Sequence, residues 1–133
     1  MTMHTLATIE RFYKNNGQHA EQVARYTLTG KVCKADNLPH NCGGDVGNLQ
    51  VKSSKASVCK GTDLQAYLAE DGATAWGYVT ADFGTMFVMD KAEWVAFVEE
   101  FGYVTYESKK NGGAAKIRLR EESRKMREWL MAH

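Results

Sequence analysis

Two neighbouring segments, residues 75–81 and 85–89, constrain the fold of this chain more than any other feature. Both are rich in aromatic and β-branched side chains, which favour β-strands, and a short turn sequence separates them. A strong helical pattern follows, in which large apolar side chains recur at i, i+3, i+4 and i+7: Trp94, Phe97, Val98 and Phe101. Central strands between amphipathic helices predict an α/β fold with a mixed central sheet flanked by helices.

The remaining elements are predicted from hydrophobic spacing and from capping and turn residues. Helices are expected over residues 6–13, 18–29, 62–71 and 91–101, and around Met126, Trp129 and Leu130. Further strands are expected over residues 31–35, 103–108 and 115–120. A length of 133 residues predicts a single domain over residues 1–133. Its core would cover about residues 16–89, and a C-terminal helix-hairpin-helix-type αββα extension would cover residues 90–133.

The cysteines and the apolar segments limit where this chain is expected to work. Three cysteines cannot pair evenly, and the first residues lack the basic and apolar regions of a signal peptide. The sequence contains no apolar stretch of the ~20 residues that a membrane helix requires. We therefore expect a cytoplasmic protein that is not inserted in a membrane.

Charged residues are unevenly distributed, although the net charge of the whole chain is only +1. Residues 1–60 carry a net charge of +4, residues 61–107 carry −8, and residues 108–133 carry +5. A fold that brought the two basic segments together would have one positive surface, as a polyanion-binding protein requires. A fold that interleaved the three segments would instead pair their charges.

The Gly-Asn pair at residues 47–48 is a specific turn signal. It fits a two-residue hairpin turn, in which Val46 would pair with Leu49. Asp45 would then lie opposite Gln50, with their Cβ atoms about 5 Å apart. The turn therefore predicts that a carboxylate and an amide meet on one face of the hairpin.

The strand that follows this turn combines residue types suited to phosphodiester hydrolysis. Strand alternation places Lys52 on the face of Gln50 and points Val51 toward the core. The oxygens of Asp45 and Gln50 suit Mg²⁺, and the Lys52 ammonium would orient water and offset developing negative charge. Glu21, at the border of the apolar face of the first long helix, supplies a second acid. The alternative is a surface hairpin whose polar face only contacts solvent.

In their order, these elements resemble the αβββαβ core of the PD-(D/E)XK, or restriction-endonuclease-like, nuclease superfamily. The resemblance covers roughly residues 16–81. It rests on three short motifs: Gly17-Gln18-His19-Ala20-Glu21, similar to the acid of the first helix; Gly44-Asp45, similar to the motif aspartate; and Gln50-Val51-Lys52, similar to the variant with Gln in the Glu position.

This resemblance implies a DNA endonuclease that depends on Mg²⁺ or Mn²⁺. Glu21, Asp45 and Gln50 would help bind the cation, the backbone carbonyl of Val51 would add a ligand, and Lys52 would position the attacking water. Glutamine in place of glutamate removes one negative charge, which should weaken cation binding unless Glu21 compensates. Two alternatives follow: an inactive nucleic-acid-binding module with a nuclease-like fold, or a protein-interaction factor that uses the acidic middle segment.

Hydroxyl and basic side chains in two regions are candidates for contact with DNA phosphates. The residues expected to bind nucleic acid are Ser53, Ser54, Lys55, Lys60, Arg118, Arg120, Arg124 and Arg127. Arg120, Arg124 and Arg127 are predicted to share one face of the last helix. A solvated helix face explains the same arginines without any DNA contact.

Three smaller expectations concern cysteine, histidine and aromatic residues. Four residues could serve as ligands of a structural zinc ion: Cys33, His40, Cys42 and Cys59. Their spacing fits no standard zinc pattern, so thiols without zinc are favoured. His19 is expected to face solvent. Cleavage of a duplex favours a symmetric homodimer, in which exposed aromatic residues such as Trp129 or Tyr106 would form the interface.

Overall fold

The computed structural model of the protein describes residues 1–32, 46–106 and 113–133. Its helices are α1 (Asn16–Thr29), α2 (Leu64–Glu70), α3 (Lys91–Phe101) and α4 (Arg124–Ala132). Its strands are β1 (Thr2–Thr5), β2 (Leu49–Ser53), β3 (Ser57–Lys60), β4 (Ala75–Val79), β5 (Thr85–Met89), β6 (Gly102–Tyr106) and β7 (Ala115–Leu119). The predicted α/β class is confirmed. No helix within these ranges is long and apolar enough to span a membrane.

The larger sheet, sheet A, contains the two strands that the sequence places at its centre, β4 and β5. Its strand order is β1-β5-β4-β2. β2 and β4 are parallel, whereas β5 is antiparallel to both β4 and β1, so the sheet is mixed. Parallel neighbours need a crossover connection, which β3 and α2 provide. Within the described residues, β2 therefore forms one edge of sheet A.

Sheet B is a smaller antiparallel sheet with the order β3-β7-β6. The register of β3 shifts between Ser57 and Cys59, and the consecutive residues Val58 and Cys59 are both buried. β3 precedes α2 in the chain but pairs with β7 near the C-terminus. The segments predicted as core and as C-terminal extension thus share one sheet.

Apolar side chains cover both faces of sheet A. On one face, three strand residues pack with three residues of α1: Val51, Val79, Met86, Ala20, Val23 and Ala24. On the other face, the rings of Trp76 and Trp94 stack with centroids 6.5 Å apart. Residues of α2, α4 and sheet B complete this second cluster. Sheet A therefore lies in the middle of the molecule, between α1 and the α3 side.

The predicted helix over residues 6–13 is wrong. Residues Thr2–Thr5 form β1, which pairs with β5, and the amide of Leu6 donates to the carbonyl of Gly84 at 2.9 Å. Leu6 and Tyr13 are buried although no helix surrounds them. Helical spacing misleads here because long-range packing buries Leu6 against Val79 and Met86, which a local pattern cannot show.

The described residues contain only part of the predicted αβββαβ order. Two strands, β2 and β3, lie between α1 and α2, and β3 joins sheet B rather than sheet A. Lys31 and Val32 form no strand, and the rest of the predicted strand 31–35 lies outside the described residues. The predicted αββα order of the C-terminal part is confirmed by α3, β6, β7 and α4.

The two aromatic residues predicted for a dimer interface differ in exposure. Tyr106 is 72% exposed at the end of β6. Trp129 is half-buried, and its ring centroid lies 5.6 Å from that of Phe97 and 5.9 Å from that of Phe101. Trp129 therefore packs against the core of its own chain, which corrects the expectation of an exposed ring.

Candidate active site

The predicted turn before β2 is confirmed. The amide of Val46 donates to the carbonyl of Leu49, and the amide of Leu49 donates to the carbonyl of Val46, both at 3.0 Å. Gly47 has a φ of +61°, which a tight hairpin turn of this kind requires. Asp45, predicted to lie opposite Gln50, is outside the described residues, so its place in the site stays a prediction.

β2 presents different residues on its two faces, as strand alternation requires. Val51 is 4% exposed and packs in the cluster that contains α1. Gln50 and Lys52 point to the other face, beside Trp76 and Tyr78 in the parallel register. Both polar side chains are half-buried. The structure therefore brings Gln50 and Lys52 to one face of an edge strand that remains partly open to solvent.

Glu21 lies on α1 and is half-buried. α1 packs on the Val51 face of β2, which is opposite to the face of Gln50 and Lys52. The helix that carries Glu21 thus lies on the far side of the strand from the residues that Glu21 is predicted to join. Its role as a ligand stays a prediction.

His19 faces the protein interior, so the prediction that it faces solvent is wrong. It is 7% exposed, and its ring packs edge-on against Phe83 with 4.7 Å between the centroids. Phe83 belongs to the connection between β4 and β5, which covers this side of α1. Burial lowers the pKa of His19, and the nearby Arg11 guanidinium lowers it further.

Asp71 is an acidic residue at this site that the sequence analysis missed. The Nε2 atom of Gln50 donates a hydrogen bond to Oδ2 of Asp71 at 2.7 Å. A carboxylate accepts and does not donate, so the amide nitrogen must face Asp71 and Oε1 of Gln50 points elsewhere. The two residues are 21 positions apart in the chain, and no local pattern at the end of α2 indicates the contact.

Backbone hydrogen bonds hold the loop after α2 against the turn before β2. The amides of Thr74 and Ala75 both donate to the carbonyl of Asn48, at 3.0 and 3.4 Å. Ala75 then begins β4, the parallel neighbour of β2. These hydrogen bonds hold the chain that follows Asp71 against the chain that precedes Gln50. They therefore support the contact between the two side chains.

Ser54 takes part in a hydrogen-bond network at the carboxyl ends of β2 and β4. Its Oγ accepts from the amide of Glu122 at 2.9 Å. The Glu122 carboxylate accepts from the Tyr78 hydroxyl at 2.8 Å and from the Ala81 amide at 3.1 Å. Burial raises the pKa of Tyr78, and its contact with Glu122 raises it further. This network ties the segment before α4 to sheet A.

The candidate phosphate contacts after β2 differ in accessibility. Ser53 is 6% exposed, so its hydroxyl is largely closed to a ligand. Ser54 is half-buried, whereas Lys55 is exposed and has a φ of +65° in the turn after β2. Together with Phe83 and Glu122, among others, these residues line a cleft of about 210 Å³. Of the three, Lys55 is the residue most available to a phosphate.

One lysine of the first basic segment meets the last basic segment on one face of sheet B. Lys60 on β3 lies opposite Lys116 on β7. Arg118 is two residues later on β7 and so shares this face, on which Tyr103 of β6 is its cross-strand neighbour. The Arg120 guanidinium lies over the Tyr103 ring, 5.0 Å from its centroid.

We call this surface the basic face. It consists of Lys60, Lys116, Arg118, Arg120 and Tyr103. None of the strands β3, β6 and β7 contains an acidic residue. The opposite face of β7 carries Ile117 and Leu119, which pack into the core. Three of the residues predicted to bind nucleic acid are therefore brought together, and Lys116 and Tyr103 are added to them.

Arg120 does not share a helical face with Arg124 and Arg127, so that prediction is wrong. α4 begins at Arg124 because the side chain of Ser123 caps its first turn. Arg124 pairs with Glu128 at 3.0 Å on an exposed side of α4, and Arg127 is exposed on the same helix. An exposed pair of this kind adds little stability.

The predicted zinc ligands fall largely outside the described residues. Cys33, His40 and Cys42 lie in the range 33–45, which the structure does not describe. Cys59 is buried, and burial raises the pKa of its thiol. Among the residues that the structure does describe, no three His, Cys, Asp or Glu side chains group together as metal ligands would.

The resemblance to the PD-(D/E)XK superfamily stays a prediction that is based on residues of this chain alone. Three features of the site bear on the function of the protein: the turn at residues 46–49, the two faces of β2, and the contact between Gln50 and Asp71. Comparisons with protein-family models, with curated proteins and with solved structures find no match.

Proposed function

We propose that this protein is a divalent-metal-dependent endonuclease that hydrolyses phosphodiester bonds of DNA and has the PD-(D/E)XK-like core that its sequence resembles. One observation carries the proposal: Gln50 and Lys52 lie one strand repeat apart on the same half-buried face of β2, directly after the turn at residues 46–49. An oxygen donor and an ammonium group in this arrangement suit a cation and a phosphate bound side by side.

The donor set fits a hard cation. Oε1 of Gln50, the carboxylates of Asp45 and Glu21, and the carbonyl of Val51 are all oxygen atoms, which Mg²⁺ and Mn²⁺ prefer. Glu21 is the member of this set that the geometry supports least, because α1 packs on the opposite face of β2. When bound, the cation lowers the pKa of a water ligand and offsets phosphate charge.

Lys52 is the catalytic residue of the proposed reaction. Its ammonium orients the attacking water and stabilises the negative charge that develops on the phosphate. The water oxygen bonds to phosphorus and gives up a proton to solvent, the bond to the leaving oxygen breaks, and the leaving oxygen takes up a proton from solvent. Loss of the ammonium should therefore slow hydrolysis without preventing DNA from binding elsewhere.

The basic face supports DNA as the substrate class. Four cationic side chains on one surface suit a phosphate backbone, whose charge dominates affinity for DNA. Tyr103 with Arg120 above it offers a planar, cationic surface of the kind on which an unpaired base can stack. We propose binding chiefly through the phosphate backbone, whose contacts carry no sequence information.

A cleavage assay tests the proposed function. Supercoiled plasmid and a single-stranded oligonucleotide are incubated with the protein and Mg²⁺, or with a chelator. We expect products only with the cation. Lys52→Ala should slow cleavage roughly 100-fold, and Asp45→Ala should do the same if Asp45 binds the cation.

Lys91→Ala is the matched control, because Lys91 is an exposed lysine at the first position of α3. Circular dichroism shows whether each variant is folded. Cleavage by folded Lys52→Ala at the rate of Lys91→Ala would reject the assigned site.

A nucleic-acid-binding module without catalysis is the second candidate. The basic face favours it, because none of the residues of that face depends on Gln50 or Lys52. Salt-sensitive DNA binding in the absence of any Mg²⁺-dependent product would select this candidate. Absence of DNA binding at low salt would reject both candidates and favour a protein partner.

A homodimer is part of the proposal for double-strand cleavage, since one site cuts one strand. Tyr106 is the candidate contact, because it is largely exposed on β6, an edge of sheet B within the described residues. Analytical ultracentrifugation of wild type and Tyr106→Ser, with and without duplex DNA, measures the association. A wild type that cuts both strands of a duplex as a monomer would contradict this part.

A further inference from the structure

We infer that Asp71 supplies the negative charge that glutamine lacks at position 50, and that Gln50 and Asp71 together bind the divalent cation. This inference rests on the proposed function, since it names a further ligand of the same site. The family resemblance gives no role to Asp71. Only the contact seen in the structure identifies it.

The contact leaves oxygen atoms available on both side chains. Nε2 of Gln50 and Oδ2 of Asp71 form the bond at 2.7 Å, and it is the one hydrogen bond of either side chain among the described residues. Oε1 of Gln50 and the second carboxylate oxygen of Asp71 therefore keep their lone pairs. Both residues are half-buried, so water can complete the coordination shell.

Asp71 provides the negative charge that the site lacks because residue 50 is glutamine rather than glutamate. A Mg²⁺ or Mn²⁺ site usually needs one or two carboxylates, and an amide oxygen alone does not provide the charge. The hydrogen bond turns the amide nitrogen of Gln50 toward Asp71, which leaves Oε1 of Gln50 as the amide atom that can bind a cation. Asp71 thus both orients Gln50 and adds one negative charge beside it.

The backbone holds Asp71 in this place before any cation binds. The loop after α2 is attached to the turn before β2 through the Asn48 carbonyl, which accepts from Thr74 and Ala75. β4 then continues from this loop in register with β2. A ligand pair held in this way loses little freedom when a cation binds, as a preformed site requires.

Binding of Mn²⁺ alone, without DNA, tests the inference. Electron paramagnetic resonance of unbound Mn²⁺ measures the affinity of the full chain. We expect the wild type to bind Mn²⁺ and Asp71→Asn to bind it on the order of 10-fold to 100-fold more weakly. Asparagine keeps an oxygen that can accept from Gln50, so this variant removes the charge while retaining the hydrogen bond.

Two further variants test whether Mn²⁺ affinity depends on the charge of Asp71 itself or on the net charge of the region around it. Glu70→Gln removes one negative charge from the exposed residue next to Asp71 and should leave Mn²⁺ affinity near the wild-type value. The double variant Gln50→Glu with Asp71→Asn exchanges the carboxylate and the amide across the same hydrogen bond. We expect it to recover most of the affinity that Asp71→Asn loses.

The outcomes distinguish this inference from the proposed function. Equal Mn²⁺ affinity of wild type, Asp71→Asn and Glu70→Gln, or no Mn²⁺ binding by the wild type, would overturn the inference. If Mn²⁺ binding depends on Asp71 but no DNA is cleaved, the cation site stands and the nuclease proposal fails. If cleavage depends on Lys52 but not on Asp71, the nuclease proposal stands and the inference fails.

Discussion

Lys60 and Lys116 lie directly opposite each other in the antiparallel pair of β3 and β7. Like charges at opposed positions of a sheet repel each other and destabilise the fold. Phosphate groups bound across the basic face would relieve this repulsion. The proposed binding of DNA phosphates would make use of the positive charge that this pair adds to the basic face.

Replacing Lys60 with alanine should weaken DNA binding and make it less dependent on salt. Each lost phosphate contact lowers the slope of log affinity against log salt by about 0.9 for duplex DNA. Fluorescence anisotropy of a labelled duplex between about 50 and 200 mM salt measures this slope. The free energy of unfolding should stay equal or rise slightly, because Lys116 loses a repulsive neighbour.

Lys91→Ala again serves as the control for this experiment. Lys91 lies about 15 Å along α3 from the end that joins β6, so it is remote from the basic face. Its slope should match that of the wild type. A Lys60→Ala slope equal to both would show that DNA, if bound, lies elsewhere.

Tyr78 should make the stability of this protein depend on pH in the alkaline range. Its side chain is fully buried, and burial followed by the Glu122 contact raises its pKa above the unfolded value of about 10. Below pH ~10 both states keep the phenol proton and the full stability is present. Above pH ~10 the unfolded state loses the proton first, so the free energy of unfolding falls by about 1.4 kcal/mol per pH unit.

The variant Tyr78→Phe isolates this effect. At neutral pH it should lower the free energy of unfolding by about 1–3 kcal/mol, because the Glu122 carboxylate loses a buried donor. Urea denaturation of both proteins from pH 8 to about pH 11 should show the gap narrowing as the pH rises above ~10. A constant gap over this range would mean that Tyr78 ionises normally in the folded protein.

His19 should produce the opposite dependence on the acid side. Burial and Arg11 lower its pKa below the unfolded value of about 6.5. Stability is complete above pH ~6.5 and is lost as the pH falls, since the unfolded state takes up a proton first. His19→Leu should therefore lose less stability than the wild type between about pH 7 and pH 5, as measured by thermal unfolding.

His4→Gln is the control for this comparison, because it removes another histidine, one that lies on β1. It measures the effect of losing a histidine that takes no part in the contact between His19 and Phe83. If the stability of His19→Leu falls on acidification as much as that of the wild type, the acid sensitivity of the protein comes from other groups.

Features specified by neighbouring residues could be predicted from the sequence. The turn at residues 46–49 follows from its Gly-Asn pair, and the composition and flanking turn residues of 85–89 predict the bounds of β5. The faces of Gln50, Val51 and Lys52 then follow from strand alternation alone. These predictions need no knowledge of distant partners.

Features that depend on long-range pairing could not be predicted. β1 forms because the edge of β5 accepts it, and β3 leaves sheet A because β7, far along the chain, pairs with it. The contact of Gln50 with Asp71 arises only once β2 and β4 are parallel neighbours. The presence of Asp71 in the candidate site therefore depends on the strand topology, which hydrophobic spacing does not indicate.

Gly102 should tolerate no side chain, since α3 passes directly into β6 at this residue. A Cβ atom there would lie 2.5 Å from the carbonyl oxygen of Val98, which is backbone and cannot turn away. Gly102→Ala should therefore lower the free energy of unfolding by about 1–3 kcal/mol in urea denaturation. At Gly72 a Cβ atom would meet nothing within 4 Å, so Gly72→Ala should be near neutral. Equal stability of the two variants would mean that the junction between α3 and β6, which supports the basic face, is looser than this contact requires.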